Sequence, residues 1–227
     1  MRLKPKNRHK EFYRKLGNMS YDLFNQNEIT TQKIKMDGYR VEKISYESTK
    51  PFILNIHYAH RMPSISYAFG LFYRYELVGV ITYGTPASPS LCKGVAGEQN
   101  RPIIKELNRL VLKYNKHNEA SFLISQSLKM LPKPLIIISY ADKAQNHLGT
   151  VYLATNWIYT GATKERTDMK GKDGRHSRHN FGDPTQRVFR SSKHRFIMVI
   201  GNKRDKKLLL KQINYDSIPY PKERIAI

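Results

Sequence analysis

Cysteine is nearly missing from this chain: Cys92 is the only one in 227 residues. An internal disulfide is excluded, and so is a zinc site built from thiolates. Acidic residues are scarce as well, with 18 Asp and Glu against 40 Lys and Arg, a formal charge of +22 at pH 7. That surplus exceeds what solubility requires and points to a polyanionic partner, with nucleic acid ahead of a membrane surface. No apolar run approaches the roughly 20 residues that span a bilayer, and the basic start lacks the apolar stretch of a signal peptide. The expected setting is the cytoplasm, without membrane insertion. No internal repeat or low-complexity tract is present.

What is present is a hydrophobic fraction of 40%, enough for one sizeable core with appendages. Residues 1–38 read as a basic arm carrying Lys4, Lys6, Arg8, Lys10, Arg14 and Lys15, either solvated or tracking DNA. Residues 39–201 read as the folded core and 202–227 as a basic helix, over 203–211, with an extended tail. Inside the core, a strand over 105–112, a helix over 118–131, an all-apolar strand over 134–140 and a second helix closing on Asn156-Trp157 predict an α/β architecture, a mixed sheet flanked by helices. The loop before Asn118 and the strand end Ser139-Tyr140-Ala141-Asp142 then open on one edge of the sheet, where α/β folds bind ligands.

Ahead of this stretch, residues 39–45 alternate as a short strand, and 48–61 show helical spacing with Ser48 and Thr49 as caps before Pro51. Runs over 67–75 and 77–83 predict an antiparallel hairpin turning at Glu76, followed by a Ser-, Pro- and Gly-rich loop to Pro102. Near the end, 195–200 is a strand. Between them, residues 164–194 form a basic insertion on a hairpin, with Lys164, Arg166, Lys170, Lys172, Arg175, Arg178, Arg187, Arg190 and Lys193 as phosphate-binding candidates.

Several side chains suit chemistry at the sheet's open edge. Asp142 ends the apolar strand and suits a general base with a raised pKa, or an N-cap for the next helix. Alternation places Glu106 and Asn108 on one strand face, able to hold an acceptor, with Arg109 on the other face in a salt bridge or on phosphate. His57 and His60 stand at i, i+3 in the predicted helix 48–61, a spacing that suits either packing or a shared metal; with Tyr58 and Asp142 they would make an N- and O-rich site of the kind iron accepts. Cys92 has only Lys93 beside it to activate a thiol.

The element order, with Glu106-Leu107-Asn108-Arg109-Leu110-Val111-Leu112 as a fourth strand and Gln145, Leu148, Val151, Tyr152 and Asn156-Trp157 in a second pattern, resembles the GCN5-related N-acetyltransferase fold. That resemblance assigns Tyr152 as the proton donor to a leaving group. It also implies a glycine-rich turn ahead of the diphosphate-binding helix, whereas this chain reads Lys113-Tyr114-Asn115-Lys116-His117-Asn118-Glu119-Ala120-Ser121. Asn118 and Ser121 remain at the helix start as donor-binding candidates, while Glu119 in the first turn opposes an anion.

The runs Val78-Gly79-Val80-Ile81-Thr82-Tyr83-Gly84-Thr85-Pro86, Glu106 to Leu110, Ser139 to Asp142, and Ala154-Thr155-Asn156-Trp157-Ile158-Tyr159-Thr160-Gly161 resemble the phage Mom-type DNA modification proteins. The resemblance implies an enzyme that converts adenine in double-stranded DNA to its N6-carbamoylmethyl form and so blocks host restriction. It brings His57, Tyr58, Asp142 and Tyr152 forward as active-site residues and Ser127 on the donor side, where a back-bonded hydroxyl is the plainer role for the serine. An acyl-coenzyme A or an aminoacyl (glycyl) carrier such as a charged transfer RNA is the expected donor. An acyl-coenzyme A-dependent N-acyltransferase on RNA or protein, and a non-catalytic DNA-binding protein on the same scaffold, are the alternatives.

Overall fold

The computed structural model describes residues 36–169 and 186–221. By its internal contacts the chain divides into residues 1–37 and 38–227, and the sheet and helices belong to the second unit. Residues 1–35 of the basic arm lie outside the described residues, as do Lys170, Lys172, Arg175 and Arg178 of the insertion and the tail beyond 221.

Seven strands form the central sheet: β1 (Tyr39–Lys43), β2 (Tyr67–Tyr73), β3 (Glu76–Gly84), β4 (Ile104–Leu112), β5 (Leu135–Asp142), β6 (Ile158–Ala162) and β9 (Lys193–Ile200), in the order β1-β2-β3-β4-β5-β9-β6. All neighbours are antiparallel except the central pair β4 and β5. Leu135-Ile136-Ile137-Ile138 is apolar on successive residues because β5 is covered on both faces. One face packs on α3 (Glu119–Met130) and the short α4 (Thr150–Ala154) through Ile137, Leu123, Trp157 and Phe196. The other packs on α2 (Pro89–Ala96) and α5 (Lys203–Gln212) through Ile136, Ile138, Val95 and Leu209. Strands β7 (Arg166–Met169) and β8 (Arg187–Arg190) form a separate two-stranded ribbon between β6 and β9, at the basic insertion.

Three local expectations change. The helix over 48–61 is cut short: α1 (Tyr46–Pro51), capped by Ser45, widens into a single π turn (Phe52–Ile56), and His57 is already extended at φ −72°, ψ 132°. Pro51, inside α1, has no N–H to donate into the helix and is followed at once by the π turn, after which the extended His57 ends the helical run. The loop from Gly84 to Pro102 contains α2, capped by Ser88 with Pro89 in its first turn, and it buries Val95 and Ala96 under the sheet. The hairpin turns at Arg74-Tyr75 instead of Glu76, with Arg74 at φ +54°.

Gly149, just before α4, has φ +73°, and a Cβ added there would sit 2.5 Å from the Phe196 ring. Gly149→Ala therefore meets both backbone strain and a core clash; destabilisation of more than about 1 kcal/mol is expected in a denaturant titration.

Candidate active site

The central parallel pair is only four residues long, Ile104 to Leu107 on β4 against Ile136 to Ser139 on β5. Past it β4 follows β3 and β5 follows β9, so the sheet parts down its middle. At the parting, β4 carries a bulge: Tyr83 pairs with Leu107 and Thr82 with Arg109, leaving Asn108 as the extra residue. The gap between the strands opens into a cleft of about 800 Å³, bounded by β4, the end of β5, the approach to α4, and the segment at His57-Tyr58.

The bulge overturns the expected strand alternation. Because Thr82 pairs with Arg109 and Gly84 with Glu106, Arg109 shares the face of Glu106 and does not point away from it. Both ends of the Asn108 amide are engaged: Oδ1 accepts from Thr82 Oγ1 at 2.6 Å and Nδ2 donates to the Ser64 carbonyl at 2.7 Å. Arg109 donates to the Arg61 carbonyl at 2.9 Å and to the Asn108 carbonyl at 2.6 Å. These two side chains thus hold the 57–64 segment over the cleft; an acceptor role for Asn108 would require breaking that attachment.

His57 and Tyr58 stack at 4.3 Å between ring centroids, and Tyr58 meets His147 edge-on at 5.6 Å. His147 had no motif to single it out in the sequence; it reaches the rim because its N–H bonds the Asp142 carbonyl at 3.1 Å. The His57 Nδ1 accepts from the Ala59 N–H at 3.0 Å, which leaves the ring proton on Nε2. Burial pushes the His57 pKa down to about 4, and the positive charges of Arg109, His147, His60 and Lys193 add to the effect. At neutral pH His57 is a neutral hydrogen-bond donor.

Asp142 differs from its expected state. Its burial acts to raise the carboxyl pKa, but Lys193 Nζ at 2.5 Å, Ser191 Oγ at 2.5 Å and the Ala144 N–H at 3.1 Å outweigh that, and the net shift is downward. A carboxylate held by an ammonium and two further donors is a poor base. Asp142 caps the short turn Lys143–Gln145, the N-cap role the sequence also allowed. Lys193 is correspondingly committed to Asp142 and differs in this from the solvent-facing insertion residues.

Tyr152 lines the cleft floor against Trp157 and Phe196, with ring centroids at 5.1 and 4.9 Å. Its hydroxyl lies 2.8 Å from Ser139 Oγ, which is also 3.0 Å from the Leu107 carbonyl at the parting of the strands. Burial raises the Tyr152 pKa to about 12, so the phenol keeps its proton and presents a hydrogen-bonding O–H. Glu106 is half-buried and acts electrostatically on Tyr140, Tyr152 and Arg109.

On the α3 side, Asn118 sits in the left-handed region at φ +67° and makes no side-chain cap, while Ser121 Oγ donates to the Asn118 carbonyl. Glu119 is fully buried: Oε2 accepts from the Lys116 N–H at 2.8 Å and Oε1 from the Tyr39 hydroxyl at 2.9 Å. Ser127 is buried away from the cleft, bonded to Tyr83 at 2.7 Å and to the Ile124 carbonyl at 3.0 Å, so a direct donor contact does not fit its position.

The helical pairing of His57 with His60 is lost with the helix. His60 has φ +42° and its Nδ1 lies 2.8 Å from the Leu54 carbonyl, while the His57 Nδ1 is already bonded to backbone. Among the described residues no three His, Cys, Asp or Glu side chains converge as metal ligands. Cys92 lies in α2 within the core of the opposite sheet face, and burial raises its thiol pKa, which removes it from the cleft chemistry. In the ribbon, Asp168 takes Arg190 at 3.1 Å and Arg166 at 3.4 Å, and Lys164 and Arg187 are exposed. No helix among the described residues is long and apolar enough to cross a membrane.

The strand order, the single parallel pair at its centre and the cleft where that pair parts define the GCN5-related N-acetyltransferase architecture. Solved structures similar to this chain include Arabidopsis thaliana NAA60 in complex with a bisubstrate analogue, 12% identical, covering 73% of this chain and 99% of that one at a TM-score of 0.47. A GNAT-family acetyltransferase from Bacillus cereus is 14% identical, with 72% and 99% covered at a TM-score of 0.42. The Mom protein family model matches residues 38–222, and the chain belongs to that family. A curated relative, methylcarbamoylase mom of Escherichia phage Mu, is 33% identical over 129 residues; the match spans 54% of each chain, about half the length of that relative.

The depressed pKa of His57 has a signed consequence. As pH falls from about 6.5 towards 4, the unfolded chain takes up a proton that the folded imidazole refuses, so stability declines across that window. His57→Gln should flatten this part of the stability-against-pH curve, and NMR of the parent should show an Nε2–H tautomer that does not titrate between about pH 5 and 8.

Proposed function

We propose that this protein is a phage DNA-modifying transferase that acts on adenine N6 and leaves the N6-carbamoylmethyl base. The observation that carries the reading is the cleft itself: an aromatic rim of His57, Tyr58 and His147 and a buried phenol, Tyr152, stand at the parting of the sheet. The basic ribbon is tied to the same place through Asp142.

Adenine N6 is a weak nucleophile because its lone pair is delocalised into the ring, and in a duplex it is also stacked and paired. The base must leave the helix and be held between flat side chains. Half-exposed Tyr58 offers such a face at the cleft mouth. As the N6–carbon bond forms, the bond between the donor's methylene carbon and its leaving group breaks with the electrons going to the leaving group, and N6 releases its proton to water at the open cleft. In this reading the Nε2–H of neutral His57 and the O–H of Tyr152 orient the donor or stabilise charge that develops on it. Asp142 stays ionised and positions Lys193, Ser191 and the turn that carries His147.

Glu119 bears on the donor. Its carboxylate already takes a loop N–H at the start of α3, so a diphosphate there would meet a buried negative charge. The proposed donor is accordingly one other than coenzyme A that bears its leaving group on the methylene carbon of the carbamoylmethyl unit, since direct transfer from a glycyl carrier would give the isomeric N6-glycyl amide. Isothermal titration with acetyl-coenzyme A should give no saturable heat; tight binding would restore the acyl-coenzyme A reading.

Mass spectrometry of nucleosides from plasmid DNA of cells expressing the chain tests the function, with a deoxyadenosine heavier by a carbamoylmethyl group as the expected product. Tyr152→Phe and His57→Ala should each lower the modified fraction by about 100-fold or more at unchanged DNA affinity. Ordinary deoxyadenosine throughout, from folded protein that binds DNA, would overturn the proposal.

A further inference from the structure

Resting on the DNA-modifying reading above, we propose that Phe189 of the β7–β8 ribbon is a wedge that enters the base stack of duplex DNA beside the extruded adenine. The ribbon's register pairs Thr167 with Phe189 and Met169 with Arg187. Alternation puts these four on one face and Arg166, Asp168, Val188 and Arg190 on the other. On that second face Asp168 holds Arg166 and Arg190, so the ion pairs brace the ribbon from behind. Phe189 is 62% exposed and is the one exposed phenylalanine among the described residues. Unlike the exposed tyrosines, it has no hydroxyl for water to satisfy.

Its surroundings indicate the occupant. Exposed Arg187 lies two residues before it on the same face, Lys164 precedes β7, and the chain as a whole carries +22. A phenyl ring presented among cations matches a polyanion with an apolar interior, which is a stacked duplex. The ribbon is also rooted at the cleft. Two residues after Phe189, Ser191 Oγ donates to Asp142 at 2.5 Å, and the Ser192 carbonyl accepts from the Lys143 N–H at 3.2 Å. Two residues of extended chain span at most about 7 Å, and bases rise about 3.4 Å apart, so Phe189 stands within about two base steps of Ser191, whose partner Asp142 follows the cleft-lining Ala141. A base drawn into the cleft leaves a gap that an apolar ring at this range can fill, offsetting lost stacking. Arg187, on the same face, is placed to take a phosphate alongside.

The test compares the parent chain with Phe189→Ala and Phe189→Leu on duplex and single-stranded oligonucleotides of one adenine-containing sequence, together with unwinding of closed circular plasmid followed by topoisomerase relaxation. Phe189→Ala should lose about tenfold or more of modification on the duplex while keeping the single-strand rate, where no stack has to be opened. It should also lose plasmid unwinding. Phe189→Leu, still an apolar wedge, should retain most of both, and thermal midpoints should stay level because the ring is exposed. Equal losses on duplex and single strand, or unwinding unchanged by Phe189→Ala, would overturn the wedge. Unwinding that depends on Phe189 without modified adenine would keep the wedge and remove the activity reading, so the two failures are distinguishable.

Discussion

A four-residue parallel pairing governs this molecule. β4 and β5 stay together from Ile104 and Ile136 only as far as Leu107 and Ser139, and the Asn108 bulge then turns β4 aside. Two strands that separate in mid-sheet leave backbone and side chains without the neighbour that regular pairing would provide. Here Ser139 reaches across to the Leu107 carbonyl at the fork and meets Tyr152, while Asn108 and Arg109 recruit the carbonyls of Ser64 and Arg61. The groups that repair the fork are the groups that build the cleft. Architecture and site share one set of bonds.

Electrostatics follows from the same placement. Asp142 ends β5 where the cleft opens, and in a chain with this excess of cations its partners are at hand: Lys193 and Ser191 close on it from the start of β9 and the link to the ribbon. Burial keeps His57 neutral, and the same excess of cations adds to the effect through Arg109 and Lys193. Position 57 therefore contributes no charge to the cleft at neutral pH.

Long-period features were legible in the sequence. The apolar run of β5, the helix that became α3 and the element order gave the mixed sheet, since each rests on a periodicity that packing reinforces. The features that were not legible are those in which a local exception overrides a pattern. One extra residue at Asn108 moves Arg109 to the face of Glu106, and no composition signal marks a bulge. Pro51 was visible but compatible with a longer helix; only the extended backbone of His57 ends it. His147 could not be found because its place at the rim comes from a backbone bond to Asp142, and Ser127 pointed to the donor side although Tyr83, remote in sequence, claims its hydroxyl.

The buried carboxylate of Glu119 has a thermodynamic consequence. By accepting the Lys116 N–H and the Tyr39 hydroxyl, whose pKa is raised to about 12 by burial and by Glu119 itself, it completes the loop before α3 from within the chain and ties it to β1. Where such a loop depends on a bound anion, its order is linked to the concentration of that anion. Here Glu119 supplies the anion from within the chain, so the order of the loop carries no such linkage.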